Sequence, residues 1–356
     1  MGYAVGRAGR KSALAPGCGI GLLRRLQPMI TWLAGTGAWA PWGFLLLFLG
    51  ASLLMVWRLE AMSAGGLEGT VMGTLVMPYC SGIGNLAFVF IIGMRQGPGA
   101  EVITNSLVNN VTNLTLLIAL PTVIWGMNVL PQGGKAKKGA KARQHEVNRL
   151  SLLLTLAAVF FFTGMTWALG GDGRFDFRDG LVLVGAFLFW QCFHVFDVLK
   201  SNARQNKKLG WRLPINLALL AIGAWGVYVS IDWLVAWLAT ISSGFISAKN
   251  MGWLSGWLMV LPNALLAFYY SWRGNPEVVY TSQVGDGHIC IPLCIGISAL
   301  YQTSVAPSFF ANGMLILIGA AAFHFLMIAV FGRLPRLMGW ILIGAYVVFV
   351  WQGLPG

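Results

Sequence analysis

Long stretches without a charged residue divide the chain. No Asp, Glu, Lys or Arg falls between Arg25 and Arg58, nor within 69–94, 150–171, 213–231, 251–272, 287–332 or 337–356. A helix crosses the hydrocarbon core of a bilayer with about 20 apolar residues, and the 287–332 run is long enough to cross twice. The runs are continuously apolar and do not alternate, which is the pattern of spanning helices and not of a barrel. They predict ten spans, at 40–58, 69–94, 100–127, 149–169 and 180–199, then 213–231, 250–272, 277–303, 308–331 and 335–353. The short apolar segment 233–248 reads as an interfacial helix leading into the seventh span.

The spans fall into two matching sets. Each half has a long span, a tight turn with an arginine, and a second long span with polar residues. The first runs Pro78–Gly84, Asn85, Arg95, Glu101 and Asn105–Asn113; the second runs Leu261, Pro262, Asn263, Arg273, Glu277 and Ser282–Cys290. Repeats with an odd number of spans must be inverted relative to each other, an architecture that places a transport site at their interface near the midplane. The predicted fold is therefore an all-α polytopic membrane protein of about ten transmembrane helices in two inverted five-helix repeats. Residues 1–39 form a basic tail that either lies in the membrane interface as a helix or is mobile, 40–199 the first repeat, 200–212 a basic connecting loop and 213–356 the second repeat.

Composition agrees and adds exclusions. Of 356 residues, 57% are hydrophobic and 10% charged, far from the roughly 25% charged residues that coat a soluble domain. A soluble enzyme, a secreted disulfide scaffold and a disordered tail protein are excluded. The formal charge of +13 suits lipid headgroups and topology signals better than nucleic acid, because the basic residues cluster in short loops. Loops after odd-numbered spans hold 15 of the 24 Lys and Arg, including the basic loops 132–149 and 200–212. The positive-inside rule makes those loops cytoplasmic, in what reads as a bacterial inner membrane. The basic tail disagrees with that placement, and an extra embedded segment before residue 40 would reconcile it. Many of the 16 tryptophans sit near span ends, as an interfacial belt requires. No phosphate-binding glycine motif, nucleophile–base pair or histidine metal spacing is present, so neither an enzyme nor an ATP-driven pump is expected.

The chemistry lies in polar residues inside the spans, which are costly in lipid and face interior cavities. Asn105, Asn109 and Asn113 recur at i, i+4, i+8 and share one helix face. Asp286, Cys290 and Cys294 repeat that spacing in the second half. Isolated Asn and Ser often only join helices by hydrogen bonds, but two stripes at corresponding places favour a shared polar path. Cys80, Cys290 and Cys294 suit a soft metal, though cysteine is also a common small packed residue. His288 stands near Asp286 in sequence but off its face, which favours packing over proton relay.

These residues resemble the cation/calcium antiporter superfamily, which includes the sodium/calcium exchangers. Its two inverted repeats each carry a Gly-Thr-Ser-Leu-Pro-Glu signature, an Arg-Gly turn and an Asn-rich segment on the next helix. Here the first repeat reads Cys80-Ser81-Gly82-Ile83-Gly84-Asn85, then Arg95, then Asn105 through Asn113. The second reads Met259-Val260-Leu261-Pro262-Asn263, then Arg273-Gly274, then Ser282 through Cys290. The resemblance covers about 40–353. It implies a cation path through Ser81, Asn85, Asn109, Asn113, Asn263, Asp286 and Cys290, carrying sodium, protons or calcium, with no cofactor.

The departures are chemical. Asn85 and Asn263 stand where the family has its two cation-binding glutamates, leaving Asp286 as the carboxylate of the inferred centre. A carboxylate ~4 Å from a divalent ion is worth roughly 8 kcal/mol at an effective dielectric of ~20, before desolvation. Amides supply oxygen but not that charge. Two functions follow: a secondary cation transporter with a charge-depleted site, or a transport-inactive exchanger fold serving as a structural subunit among other membrane proteins.

Overall fold

The computed structural model describes residues 28–64, 77–129, 140–205 and 213–354. Twelve helices carry the fold: α1 (Ala40–Ala64), α2 (Met77–Met94), α3 (Gly99–Leu114), α4 (Leu116–Trp125), α5 (Ala140–Leu169) and α6 (Phe177–Gln205) in the first half, then α7 (Leu213–Ala239), α8 (Met251–Trp272), α9 (Pro276–Ile289), α10 (Ile295–Tyr301), α11 (Phe310–Val330) and α12 (Arg336–Gly353). Two-residue strands β1 (Arg174–Phe175) and β2 (Ser304–Val305) pair antiparallel. By length and composition, eight helical stretches among the described residues are able to cross a membrane. With α2 and α6 they make ten crossings, because α3 with α4, and α9 with α10, each form one broken span.

The breaks have local causes. In the third span the helix is distorted at Thr115 (φ −109°, ψ −78°), though its N–H still reaches the Val111 carbonyl, and α4 follows with Pro121 inside it. In the eighth span Pro292 removes one N–H from the helical ladder, and the chain widens into a π turn over Cys290–Cys294. The spans expected at 100–127 and 277–303 are each present as one helical stretch with an internal irregularity. The interfacial helix expected at 233–248 is absent: residues 233–239 continue α7, and a bend and a short 3-10 turn (Ala248–Asn250) lead into α8. Asp232 does not end α7, because Arg95 from the α2–α3 turn pairs with it at 2.5 Å. Helix α5 begins at Ala140, inside the loop expected at 132–149, while 130–139 and most of loop 200–212 lie outside the described residues.

Most packing is between the halves. Helix α1 lies along α7, α3 on α8, α5 on α11, α6 on α10 and α4 on α12. Exchanging the halves maps α1 with α7 and α5 with α11 onto themselves, turns α6 against α10 into α12 against α4, and turns α3 against α8 into α9 against α2, which also pack. The loops obey the same rule. β1, after α5, pairs with β2, before α11; Met127, after α4, bridges to Leu334, before α12. One pairing sits at each end of the bundle.

Two buried clusters support the site. The larger joins α3, α4, α5, α9, α11 and α12; the smaller joins α1, α2, α7 and the π turn. Small residues bring α8 against α3: a Cβ on Gly252 would stand 2.6 Å from the Thr104 Cβ, and one on Gly256 2.7 Å from the Val108 Cβ. Glu101 accepts the Gly252 N–H at the α8 N-terminus, where the helix dipole favours a negative charge. Trp39, Trp42, Trp57, Trp272, Trp340 and Trp351 point outward near span ends, as a belt requires. Trp253 does not belong to it: its ring is buried against Phe309 and Phe349.

Candidate functional site

The polar stripes of the two halves meet where α3, α8 and α9 converge. Asp286 of α9 is fully buried, and among the described residues it is the one acidic side chain so enclosed. Its Oδ2 accepts the Asn263 amide of α8 at 2.5 Å and the Asn113 amide of α3 at 3.0 Å. The Asn113 amide also donates to Asn109 Oδ1 at 2.7 Å. A row of amides thus leads from the first half to a carboxylate in the second, and Asn263 closes it from the other side. Gln283, one helical turn before Asp286, donates to the Asn263 carbonyl at 3.3 Å and fixes α9 to α8 at the Pro262–Asn263 step.

Many amide oxygens here have no donor. Asn105, Asn110, Asn113 and Gln283 each keep a buried side-chain oxygen without a hydrogen-bond partner, and Asn85 on α2 keeps both amide atoms so. A buried amide oxygen without a donor costs about 1–3 kcal/mol, and an unpaired amide oxygen is a ligand type suited to a cation. Asn85 faces the Cys290 thiol of the π turn, and Cys294 lies on its other side. A small pocket of about 10 Å³ opens beside Asn263, lined by Ile83 and Gly84 of α2, Met259 of α8 and Phe48 of α1. That is room for about one water.

A sequence profile described as "Sodium/calcium exchanger protein" matches residues 37–196 and 215–352. The chain belongs to the sodium/calcium exchanger family. Solved structures agree in fold. The sodium-calcium exchanger NCX_Mj soaked with 2.5 mM Na+ and 10 mM Sr2+ superposes with a TM-score of 0.64 at 19% identity, covering 88% of this chain and 99% of that one. The same exchanger soaked with zero Na+ and Ca2+ gives a TM-score of 0.61 at 19% identity over 88% and 98%. No curated protein sequence matches.

Within this sodium/calcium exchanger-family chain, the structure gathers Asn109, Asn113, Asn263 and Asp286 by direct hydrogen bonds, and sets Asn85 and Cys290 beside them. The side chain of Ser81 lies outside the described residues. Asn105 shares the Asn109 face but turns to Ser255 of α8 at 3.0 Å, as helix-joining glue. Two features escaped the sequence reading. Gln283 sits in the quoted motif, but its role needs the α8–α9 angle. A second buried network joins Tyr280 of α9 to His324 Nδ1 of α11, and His324 Nε2 reaches the Leu114 carbonyl at 2.7 Å, at the break between α3 and α4. A carbonyl only accepts, so Nε2 carries the proton and Nδ1 accepts the tyrosine O–H. Nothing in the local sequence pairs two residues 44 positions apart.

Proposed function

We propose that this chain is a secondary cation transporter with a charge-depleted site, moving a monovalent cation or a proton by way of Asp286. The observation behind this reading is the Asp286 carboxylate held between the Asn113 and Asn263 amides where the two halves meet. A divalent ion leaving water needs several oxygen ligands and compensating charge. Asn85 and Asn263 supply oxygens, and Asp286 supplies one negative charge. One carboxylate balances a sodium ion or takes up a proton, but it leaves calcium half-neutralised, short by roughly 8 kcal/mol for each absent carboxylate at a dielectric of ~20. The repeats at 40–199 and 213–356 would alternate around this centre in a multi-pass protein of the bacterial inner membrane. Loops 132–149 and 200–212 then face the cytoplasm and anionic lipids. A cysteine placed at position 137 and labelled only from outside would reverse that orientation.

A second reading rests on how full the centre is. Asp286 is closed in by amides, and the adjoining pocket holds about one water. An exchanger fold locked in this way serves as a structural subunit beside other membrane proteins.

Flux in proteoliposomes separates the readings. Under an imposed sodium gradient the unmodified chain should fail to take up calcium efficiently, while sodium or proton flux should be present and should vanish in Asp286→Asn. Calcium uptake should rise in Asn85→Glu with Asn263→Glu. Robust calcium uptake by the unmodified chain, lost in Asp286→Asn, overturns the charge argument. No flux of any ion, with tight co-purification of another membrane protein, favours the structural subunit.

A further inference from the structure

The π turn of the eighth span puts two thiols on one face. Cys290 and Cys294 are fully buried and free. Cys290 and Cys294 stand at i and i+4 across this turn, so the two thiols lie one turn apart on the same side of the helix. Across from them α2 presents no bulky side chain: a Cβ on Gly82 would stand 3.8 Å from the Cys290 sulfur. On the next turn of α2 the buried Asn85 amide faces the same thiol.

We propose that Cys290 and Cys294 form a site for a thiophilic monovalent cation, of the chemistry of Cu(I) or Ag(I). Thiolates select soft d10 ions, whereas magnesium and calcium require oxygen shells. A structural zinc site takes four ligands, and among the described residues no third Cys, His, Asp or Glu completes one here. Two sulfurs on adjacent turns suit a two-coordinate monovalent ion. Binding forms two metal–sulfur bonds and displaces both thiol protons. Both protons leave to solvent, so binding strengthens as pH rises. Asn85 faces the Cys290 thiol from α2 and orients its sulfur. The site shares the centre with the proposed transport path but does not require transport.

The test uses the full chain in detergent with Cys18, Cys80 and Cys192 changed to alanine. Cu(I) is titrated anaerobically against a chromophoric chelator, and Ag(I) is titrated in parallel. The expected result is one Cu(I) per chain, two sulfur neighbours in the X-ray absorption spectrum, and affinity that rises with pH. Cys290→Ser and Cys294→Ser should each cost more than the roughly 10–100-fold expected for a supporting residue such as Asn85→Ala. Thermal unfolding of each variant checks that it is folded. A Cys290→Ala/Cys294→Ala pair that is folded and still binds one Cu(I) overturns the site, as does a folded parent chain that binds none. A chain that binds Cu(I) but shows no ion flux in liposomes keeps this site and loses the transport reading.

Discussion

The Asn263 amide of α8 stands 2.5 Å from the Asp286 carboxylate of α9, and it occupies the position at which the resemblance implies a family glutamate. A second carboxylate in that place would repel Asp286. An amide instead donates to it, so the substitution turns a like-charged pair into a hydrogen-bonded one.

Removing that donor should be expensive. Asn263→Ala leaves the buried Asp286 short of one partner, and hydrogen bonds to charged groups contribute about 1.5–3 kcal/mol. Thermal unfolding in detergent should therefore fall in Asn263→Ala and in Asn113→Ala. With Asp286→Asn already present, either loss should shrink, because the group left exposed is neutral. Additive losses in this double-mutant cycle would show that the amides do not serve the carboxylate.

Tyr280→Phe removes the O–H that His324 Nδ1 accepts and keeps the ring. A lost buried hydrogen bond of this kind costs about 1–2 kcal/mol. His324→Phe should cost more, because it also strips the donor from the Leu114 carbonyl at the α3–α4 break. Faster hydrogen exchange around Thr115 in His324→Phe, and less so in Tyr280→Phe, is the expected signature. Unchanged exchange there would mean that the break is held by other contacts.

Gly256→Leu should unfold or splay the α3–α8 contact. Even a single Cβ at 256 would reach 2.7 Å from Val108, and overpacking a tight core costs about 1–3 kcal/mol. Gly164, where a Cβ meets no atom within 4 Å, is the control: Gly164→Ala should leave the melting temperature where it is or raise it.

Acid should fray the start of α6. Asp176 accepts the N–H groups of Arg178 and Asp179, and Asp179 accepts the N–H of Asp176 in return. The Asp179 N–H, above all, holds the Asp176 carboxyl below its ordinary value. A group whose folded value is depressed contributes stability above its unfolded value, about 3.9 for aspartate, and that contribution is lost as pH falls through the lower folded value. Proteolysis between Asp172 and Phe177 should increase as pH drops below about 4, and Asp176→Asn should flatten this dependence. Equal pH profiles for both forms would show that this cap does not titrate.

The sequence pattern made the helical class, the crossings and the converging stripes legible, because the cost of polar groups in lipid acts residue by residue. Asn109 and Asn113 share a face in the sequence and a hydrogen bond in the structure. The joints were harder to see. Pro292 was visible, but nothing in the local pattern showed that the chain would widen into a π turn over Cys290–Cys294. The span read as ending at 231 continues past Asp232, whose partner Arg95 is 137 positions away. The Tyr280–His324 and Asn105–Ser255 bonds likewise depend on which helices become neighbours, and no local period encodes that.

The reciprocal loop pairings bear on how the chain is made. β1 finds its edge partner only in β2, and Met127 only in Leu334. When α6 leaves the ribosome, the first half has no partner for either strand, nor for the Asn105 amide that later meets Ser255. Its amide row must wait in the bilayer until α8 and α9 arrive. Assembly of the core is therefore a late event, complete only once the last helix has been inserted.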